Sequence, residues 1–471
     1  MLVENSQIPD ALSEAFATVD GLMSTGKYAQ SLSVMLPYVK SGELDLRLLE
    51  RTADCFYEMR DFDNAINVMK HITDSHPEDA ASWGKLGLML QSNGELSDAA
   101  TAFEQVLQQD PNSIPALTAL NGIETFSVDS LYAQRLLSLS ERDDLAASHR
   151  ALVHHALAQI AHAAGETSVA YTLFQSSRQE VGGTFVPAIF DEMVQEQEQL
   201  FEPRIETGDT ADLPKIVFVG GMPMAGTGLV NRILSKHSNV FSVGETTALS
   251  RTHGAIRMHL AKTDRPCNYW DWLDQLTAEE IDIFRQYYLE RALGGQAAGC
   301  KTIVDAHPLG CLEFGLAQIL FPEAKFVFMS RHPLDTALAN VASNVLNGNG
   351  LASRADWIAQ ATRAVYSSAT HYAGKLGDAM HMQSYEALVQ SPDSEIAKLL
   401  EHSGLDFQEA CLTPNPLCVI DNVAAKLGHE ELSPDTQGHW KTYEAELAPV
   451  AEALGGDRWI SAWETFDEAL R

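Results

Sequence analysis

The sequence is poor in basic residues. Its 471 residues include 32 Lys and Arg against 64 Asp and Glu, which gives a formal net charge of −32. A protein that binds nucleic acid needs a basic face for the phosphate backbone. The excess of carboxylates therefore argues against a nucleic-acid partner. It also makes an anionic ligand harder to bind, so each cation near a candidate site carries more weight.

Cysteines and long apolar runs are also scarce. The six cysteines are scattered, with no C-x-x-C pair, which predicts reduced, buried thiols rather than a disulfide framework or a zinc site. No apolar run is as long as a membrane span, and the N-terminal MLVENSQIPDALSEAF lacks the pattern of a secretory leader. Together these features predict a cytoplasmic protein with no membrane partner.

Residues 1–200 read as helices with an internal repeat of 34 residues. The clearest unit is WGKLGLMLQSNGELSDAATAFEQVLQQDP (83–111). Its Trp, Gly, Ala, Phe and Pro residues stand at the positions of a tetratricopeptide helix pair. The small residues Gly87 and Ala99 would let two helices touch, and Pro111 would end the second one. Such repeats form concave surfaces that hold peptides or proteins, although a dimerisation or stabilising role is equally compatible with them.

A change of pattern follows a polar, proline-containing stretch at 201–214, which we interpret as a linker. In residues 215–471, strand-like runs at 216–220, 301–306 and 325–330 alternate with helical patterns. This alternation predicts an α/β domain with a parallel sheet. The predicted fold class is thus an all-α tetratricopeptide-repeat domain followed by a P-loop-type parallel-sheet domain.

The first predicted strand runs into a glycine-rich loop, GMPMAGTG (221–228), and then a helix. Strand, loop and helix in this order bind phosphate through backbone N–H groups. The spacing is that of a Walker A loop, but Thr227 replaces its Lys and Gly228 replaces the Ser or Thr that holds magnesium. These replacements argue against a magnesium-dependent kinase or ATPase, which stays the weakest of the alternatives.

A second candidate element is RHPLDTALA (331–339), which follows the strand at 325–330. The carboxyl ends of parallel strands share one crevice, so Arg331 is expected to face the 221–228 loop. A guanidinium there suits a phosphate. The alternative is an ion pair with Asp335, four residues further along.

With these motifs in view, the second half of the chain resembles the sulfotransferases that use 3′-phosphoadenosine 5′-phosphosulfate (PAPS). The whole chain is similar to bacterial sulfotransferases with N-terminal tetratricopeptide repeats, which resemble protein-tyrosine sulfotransferases. The family patterns G-x-P-[R/K]-S-G-T-T and R-D-P-x-D-x-x-x-S correspond to GMPMAGTG and RHPLDTALA. Further matches are Gly244-Glu245, Asp305-Ala306-His307-Pro308, Tyr385-Glu386 and Gly438-His439-Trp440.

The resemblance implies a role for each matching position. Glu245 would be the general base that takes the proton of the acceptor hydroxyl, and His307 could protonate the leaving group if it is charged near neutral pH. No metal would be needed. The residues implied to bind PAPS are Gly221, Pro223, Gly226, Thr227, Gly228, Arg331, Tyr385, Trp440 and Lys441. The repeat domain would bind the protein or peptide acceptor.

Three departures from the family pattern concern the same chemistry. Met224 and Ala306 replace cations, and Ala339 replaces a Ser. Two interpretations stay open. In the first, other cations serve, and the candidates are Lys441, His307, His439, Lys301 and Arg251. In the second, catalysis is lost and the chain is a sulfotransferase-like scaffold that binds a protein partner.

Overall fold

A computed structural model describes residues 10–40, 45–59, 61–181, 183–203, 213–272, 275–293, 302–343, 349–414 and 432–471. The chain divides into two compact units, with the division between Ala164 and Gly165. Each unit has its own core. None of the described helices combines the length and the apolarity needed to cross a lipid bilayer.

The first unit consists of helices in its described residues. They are α1 (Asp10–Ser24), α2 (Tyr28–Lys40), α3 (Leu46–Glu58), α4 (Phe62–Ser75), α5 (Ala80–Ser92), α6 (Leu96–Gln109), α7 (Ile114–Ile123), α8 (Leu131–Ser140) and α9 (Ala147–Ala163). Aspartates cap three of them: the carboxylates of Asp45, Asp61 and Asp79 accept backbone N–H bonds from the first turns of α3, α4 and α5. Each cap satisfies donors that a helix leaves without an internal partner.

The predicted helix pair is α5 and α6. Ala99 is fully buried, and a Cβ placed on Gly87 would lie 2.6 Å from the Phe103 ring. Only a residue without a side chain therefore allows this approach of the two helices. The second helix ends one residue before Asp110-Pro111, as the proline predicts. The all-α repeat character of the first region is confirmed.

The second unit begins with two helices, α10 (Thr167–Val181) and α11 (Pro187–Leu200). Buried polar side chains hold both to the rest of the unit. The Arg178 guanidinium donates to Ser343 Oγ at 3.0 Å, and Ser368 Oγ donates to Gln197 Oε1 at 2.9 Å. The compact units thus divide before the predicted domain boundary at residue 200, which stays a prediction. The 201–214 linker lies mostly outside the described residues.

Five parallel strands form the sheet of the second unit, in the order β2-β3-β1-β4-β5. They are β1 (Lys215–Gly221), β2 (Val240–Gly244), β3 (Thr302–Asp305), β4 (Lys325–Ser330) and β5 (Met380–Ser384). The central strand β1 pairs with β3 on one side and with β4 on the other. Its residues 216–219 are at most 2% exposed, as expected for a strand covered on both faces. The predicted parallel sheet is confirmed.

Helices connect these strands. They are α12 (Thr227–Ser235), α13 (Ala248–Lys262), α14 (Ala278–Leu293), α15 (Phe314–Leu320), α16 (Pro333–Ala342), α17 (Ala355–Leu376), α18 (Tyr385–Gln390), α19 (Pro392–His402), α20 (Glu444–Leu454) and α21 (Asp457–Leu470). The described cysteines, Cys55, Cys267, Cys311 and Cys411, are free thiols. The other two cysteines, Cys300 and Cys418, lie outside the described residues.

Candidate functional site

The predicted site residues gather at one edge of the sheet. Because all five strands are parallel, the residues that follow them share the carboxyl edge. The 221–228 loop ends β1 and leads into α12, Glu245 follows β2, and His307 follows β3. Arg331 and Tyr385 come directly after β4 and β5. Segments that are up to 160 residues apart in the chain therefore meet where an α/β sheet binds its ligand.

The loop after β1 has a strained backbone that the rest of the unit holds in place. Met224 has a φ of +67° and Gly226 a φ of +103°, both in the left-handed region. A Cβ on Gly226 would lie 2.7 Å from the Tyr385 ring. The Pro223 carbonyl accepts a bond from Asn340 Nδ2 at 2.8 Å. The N-cap residue of α12, Gly226, has no side chain to cap the helix, which leaves N–H groups of the first turn available to a ligand.

Arg331 faces this loop, as the sequence predicted. Its guanidinium donates to the Met224 carbonyl at 2.8 Å and to the Thr436 carbonyl at 3.1 Å. It also lies over the Tyr385 ring at 4.6 Å, and its side chain is fully buried. A buried positive charge therefore stands directly against the loop.

The segment 432–441 covers the guanidinium, and Asp335 anchors it. The Asp335 carboxylate accepts N–H bonds from Gly438 at 2.6 Å and from Trp440 at 2.8 Å. This carboxylate therefore binds backbone amides, whereas the alternative drawn from the sequence was an ion pair with Arg331. Tyr385 Oη donates to Thr436 Oγ1 at 2.7 Å. Trp440 stacks on His332 with ring centroids 4.8 Å apart.

Two of the three departures from the family pattern are buried, and the third contacts Arg331. Ala306 and Ala339 are fully buried, and Met224 contributes its backbone carbonyl to Arg331. Among the substitute cations, Lys441 is exposed, and Arg251 donates to Thr247 Oγ1 at 3.1 Å. Lys301 lies outside the described residues.

Sequence reasoning missed one cation at the loop. Arg232 Nη1 lies 3.8 Å from the position that a Cβ would take on Gly228. Arg232 lies in α12, four residues after Gly228, and helical side chains lean toward the N-terminus of their helix. The absence of a side chain at Gly228 leaves room for this guanidinium beside the start of α12. An i, i+4 search from the loop glycines would have found it.

Burial sets the protonation of the groups after β3. Burial is the main cause that lowers the pKa of His307 below its usual value, so this imidazole is neutral at neutral pH. The role of His307 as a proton donor to the leaving group requires the charged ring and stays a prediction. Burial also raises the pKa of Asp305 to about 7, and Tyr288 Oη donates to its carboxylate at 2.8 Å.

Glu245 follows Gly244, which has a φ of +70°, and is exposed to solvent. Its role as a general base stays a prediction. Within the ranges that the structure describes, no group of three His, Cys, Asp or Glu side chains is arranged to hold a metal ion.

Comparison with known families shows which proteins the two regions resemble. Residues 214–409 match a family model described as the sulfotransferase family. This part of the chain is thus similar to the sulfotransferase family. Residues 50–114 match a model of the tetratricopeptide repeat. The resemblance drawn from the sequence motifs is thus confirmed for both regions, and the 432–441 segment lies beyond the sulfotransferase match.

Three curated proteins show the extent of the likeness. Protein-tyrosine sulfotransferase 1 of Danio rerio is 24% identical over 202 residues, which are 43% of this chain and 56% of the relative. Protein-tyrosine sulfotransferase of Drosophila melanogaster is 26% identical over 270 residues, 51% of this chain and 52% of the relative. An uncharacterized protein of Aquifex aeolicus (strain VF5) is 25% identical over 273 residues, 56% of this chain and 35% of the relative. The matches thus span between a third and somewhat over half of each relative.

Solved sulfotransferase structures align more weakly. The alignment with the sulfotransferase domain from the Synechococcus PCC 7002 olefin synthase includes 55% of this chain and 98% of that domain. The two are 18% identical, with a TM-score of 0.35. The sulfotransferase domain from the curacin biosynthetic pathway covers 52% of this chain, with 99% of its own length, at 19% identity and a TM-score of 0.31. Scores this low carry no argument about the site.

Proposed function

We propose that the chain transfers a sulfuryl group from PAPS to a hydroxyl group. The observation that carries this proposal is the approach of the buried Arg331 guanidinium to the 221–228 loop, with 2.8 Å between Arg331 Nη1 and the Met224 carbonyl. Amide hydrogens at a helix start and a guanidinium beside them suit a ligand with two separate anionic groups. They lie in the region that matches the sulfotransferase family model.

The residues of this edge fit such a nucleotide. The loop and the first turn of α12 would hold the phosphosulfate, with Thr227 and the neighbouring Arg232 as further donors. Arg331 would hold the 3′-phosphate, Tyr385 would pack near the adenine, and Trp440 and Lys441 would close over it. When bound, PAPS supplies the sulfuryl group and a phosphate leaving group.

The chain's own groups would supply the rest of the chemistry. The Glu245 carboxylate would accept the proton of the attacking hydroxyl, since a deprotonated oxygen is the better nucleophile. N–H groups at the start of α12 would stabilise the negative charge that develops at the leaving oxygen. Arg232 would replace the positive charge that Met224 no longer supplies.

Arg331 must exchange partners for this role. Its bonds to the Met224 and Thr436 carbonyls are weaker than bonds to a phosphate, because both charges strengthen the latter. We expect the 432–441 segment to move away from the guanidinium when the nucleotide binds, and to close again over it.

We further propose that the acceptor is a hydroxyl on a protein or peptide that the repeat domain recruits. Two relatives carry the name protein-tyrosine sulfotransferase, which makes a tyrosyl hydroxyl the first acceptor to test. Tetratricopeptide repeats present concave surfaces suited to extended peptides.

Transfer of ³⁵S from labelled PAPS to tyrosine-containing peptides tests the proposal. We expect labelled peptide and release of adenosine 3′,5′-bisphosphate in equal amounts. Glu245→Gln should lower kcat by about a hundredfold or more and leave nucleotide affinity nearly unchanged. Glu290→Gln, an exposed change on α14, is the matched control. Nucleotide binding without turnover on any hydroxyl acceptor would instead indicate a scaffold.

A further inference from the structure

A cavity lies next to the strand end that carries Arg331, with His332 on its wall. Its volume is about 480 Å³, within the usual range for small-molecule sites. The starts of α16 and α18, the segment 437–441 and the last helix, α21, form its walls. Arg331 is not among its lining residues, whereas the next residue, His332, is. Part of its wall, including all of α21, lies beyond the family match.

Apart from Trp463 Nε1, three buried polar side-chain atoms of the lining residues have no hydrogen-bond partner among the described residues. They are His332 Nε2, Glu386 Oε2 and Asp467 Oδ1. Their side chains are 8%, 5% and 1% exposed, respectively. Buried polar atoms almost always have partners, so three such atoms around one cavity point to a ligand that supplies them.

The second polar atom of each of these three side chains is hydrogen-bonded, which fixes the orientation of the side chain. Glu386 Oε1 accepts a hydrogen bond from the backbone N–H of His332 at 2.9 Å. Asp467 Oδ2 accepts a hydrogen bond from the Arg471 guanidinium at 2.9 Å. His332 Nδ1 accepts the Leu334 N–H at 3.2 Å. The neutral His332 ring therefore carries its proton on Nε2, and the wall offers two carboxylate acceptors and one donor.

Charge and aromatic surface both favour a cation in this cavity. Five carboxylates line it, against one lysine and one arginine. One carboxylate, that of Asp335, is already engaged by two backbone N–H groups. The indoles of Trp440 and Trp463 also line the cavity, and indole faces attract ammonium groups. Burial and the nearby Asp467 charge raise the pKa of Glu386 to about 7, which is the behaviour of a carboxylate without its counter-ion.

We propose that this cavity binds a small organic amine, with its ammonium group held between the carboxylates of Glu386 and Asp467. An oxygen or second polar atom of the ligand accepts the His332 Nε2 proton. The occupant also touches Gly438 and Trp440, the residues whose amides Asp335 anchors. This site does not depend on the sulfuryl-transfer proposal, because the groups that hold the amine, Glu386, Asp467 and His332, are not assigned to PAPS. Trp440 and Lys441 belong to both sites.

Titration calorimetry on the full chain tests the proposal with putrescine and ethanolamine as probes, at fixed ionic strength. The matched neutral probe is 1,4-butanediol, which has the carbon chain of putrescine without its charge. We expect saturable binding of at least one amine at millimolar concentrations or below, and none of the diol. Equal heats for amine and diol, or no binding of either amine, would overturn the proposal.

Two variants and a control locate the binding. Glu386→Gln and Asp467→Asn should each raise the Kd of the bound amine by about tenfold or more, because each removes a charged hydrogen-bond partner. Glu464→Gln removes an exposed carboxylate of the same cavity wall and should change Kd by less than about twofold. If Glu386→Gln does not fold, the Kd of Asp467→Asn alone tests the proposal. An equal loss in Glu464→Gln would show general attraction to an acidic surface and would contradict the proposal.

Discussion

Asp335→Asn tests how the 432–441 segment is held over Arg331. The buried Asp335 carboxylate accepts two backbone N–H bonds, at 2.6 Å from Gly438 and 2.8 Å from Trp440. A hydrogen bond to a charged group contributes about 1.5–3 kcal/mol. Asparagine keeps one acceptor oxygen and turns an NH2 group toward the other amide, so one of the two bonds is lost. We expect the closed segment to be destabilised by about 2 kcal/mol.

Hydrogen exchange of the Gly438 and Trp440 amides measures this loss directly. A change of about 2 kcal/mol corresponds to roughly thirtyfold faster exchange, while the strands of the sheet should keep their protection. Asp393→Asn, an exposed change in the first turn of α19, controls for the lost charge. Unchanged exchange at both amides in Asp335→Asn would refute the anchoring role of this carboxylate.

Two further predictions concern Glu386 and the repeat helices. Burial raises the pKa of Glu386 from 4.5 to about 7, so between these pH values the unfolded chain releases a proton that the folded chain keeps. The contribution of Glu386 to the free energy of unfolding is thus at its maximum below pH 4.5. It falls by about 3 kcal/mol as the pH rises to about 7. The raised pKa of Asp305 lowers stability over the same pH range in both chains. Urea unfolding at several pH values should therefore show a fall that is about 3 kcal/mol larger in the native chain than in Glu386→Gln, and parallel curves would contradict this prediction. In the repeats, Gly87→Ala forces a Cβ to within 2.6 Å of Phe103 and should destabilise the first unit by about 1–3 kcal/mol. Gly84→Ala, whose Cβ would lie 3.9 Å from Val106, should be neutral or stabilising in the same thermal unfolding measurement, and equal effects of the two changes would argue against the close packing.

The sequence predicted the strands that are both apolar and central. β1 and β4 are continuous apolar runs bounded by a glycine loop and by Arg331, so their pattern is unambiguous. The edge strands β2 and β5 were missed, because VFSVG and MHMQS are short and only partly buried. Their strand conformation depends on pairing with β3 and β4, which a local pattern does not contain.

The candidate site was predictable in its parts but not in its contacts. The shared edge of the sheet and the approach of Arg331 to the loop follow from parallel topology. The hydrogen bonds from the Gly438 and Trp440 amides to Asp335 join residues that are more than 100 positions apart in the chain. No rule based on motif spacing could have predicted them. The same holds for the unit boundary: α10 and α11 have helical patterns typical of repeats, and only contacts such as Arg178 to Ser343 join them to the second unit.

Calorimetric titration of the native chain with adenosine 3′,5′-bisphosphate, in parallel with AMP, tests the nucleotide site most directly. We expect saturable binding of the bisphosphate, at least about tenfold tighter than AMP, because Arg331 would add a charged contact to the 3′-phosphate. Equal affinity for the two nucleotides, or no binding at high micromolar concentrations, would contradict the assignment of the loop and Arg331 to PAPS.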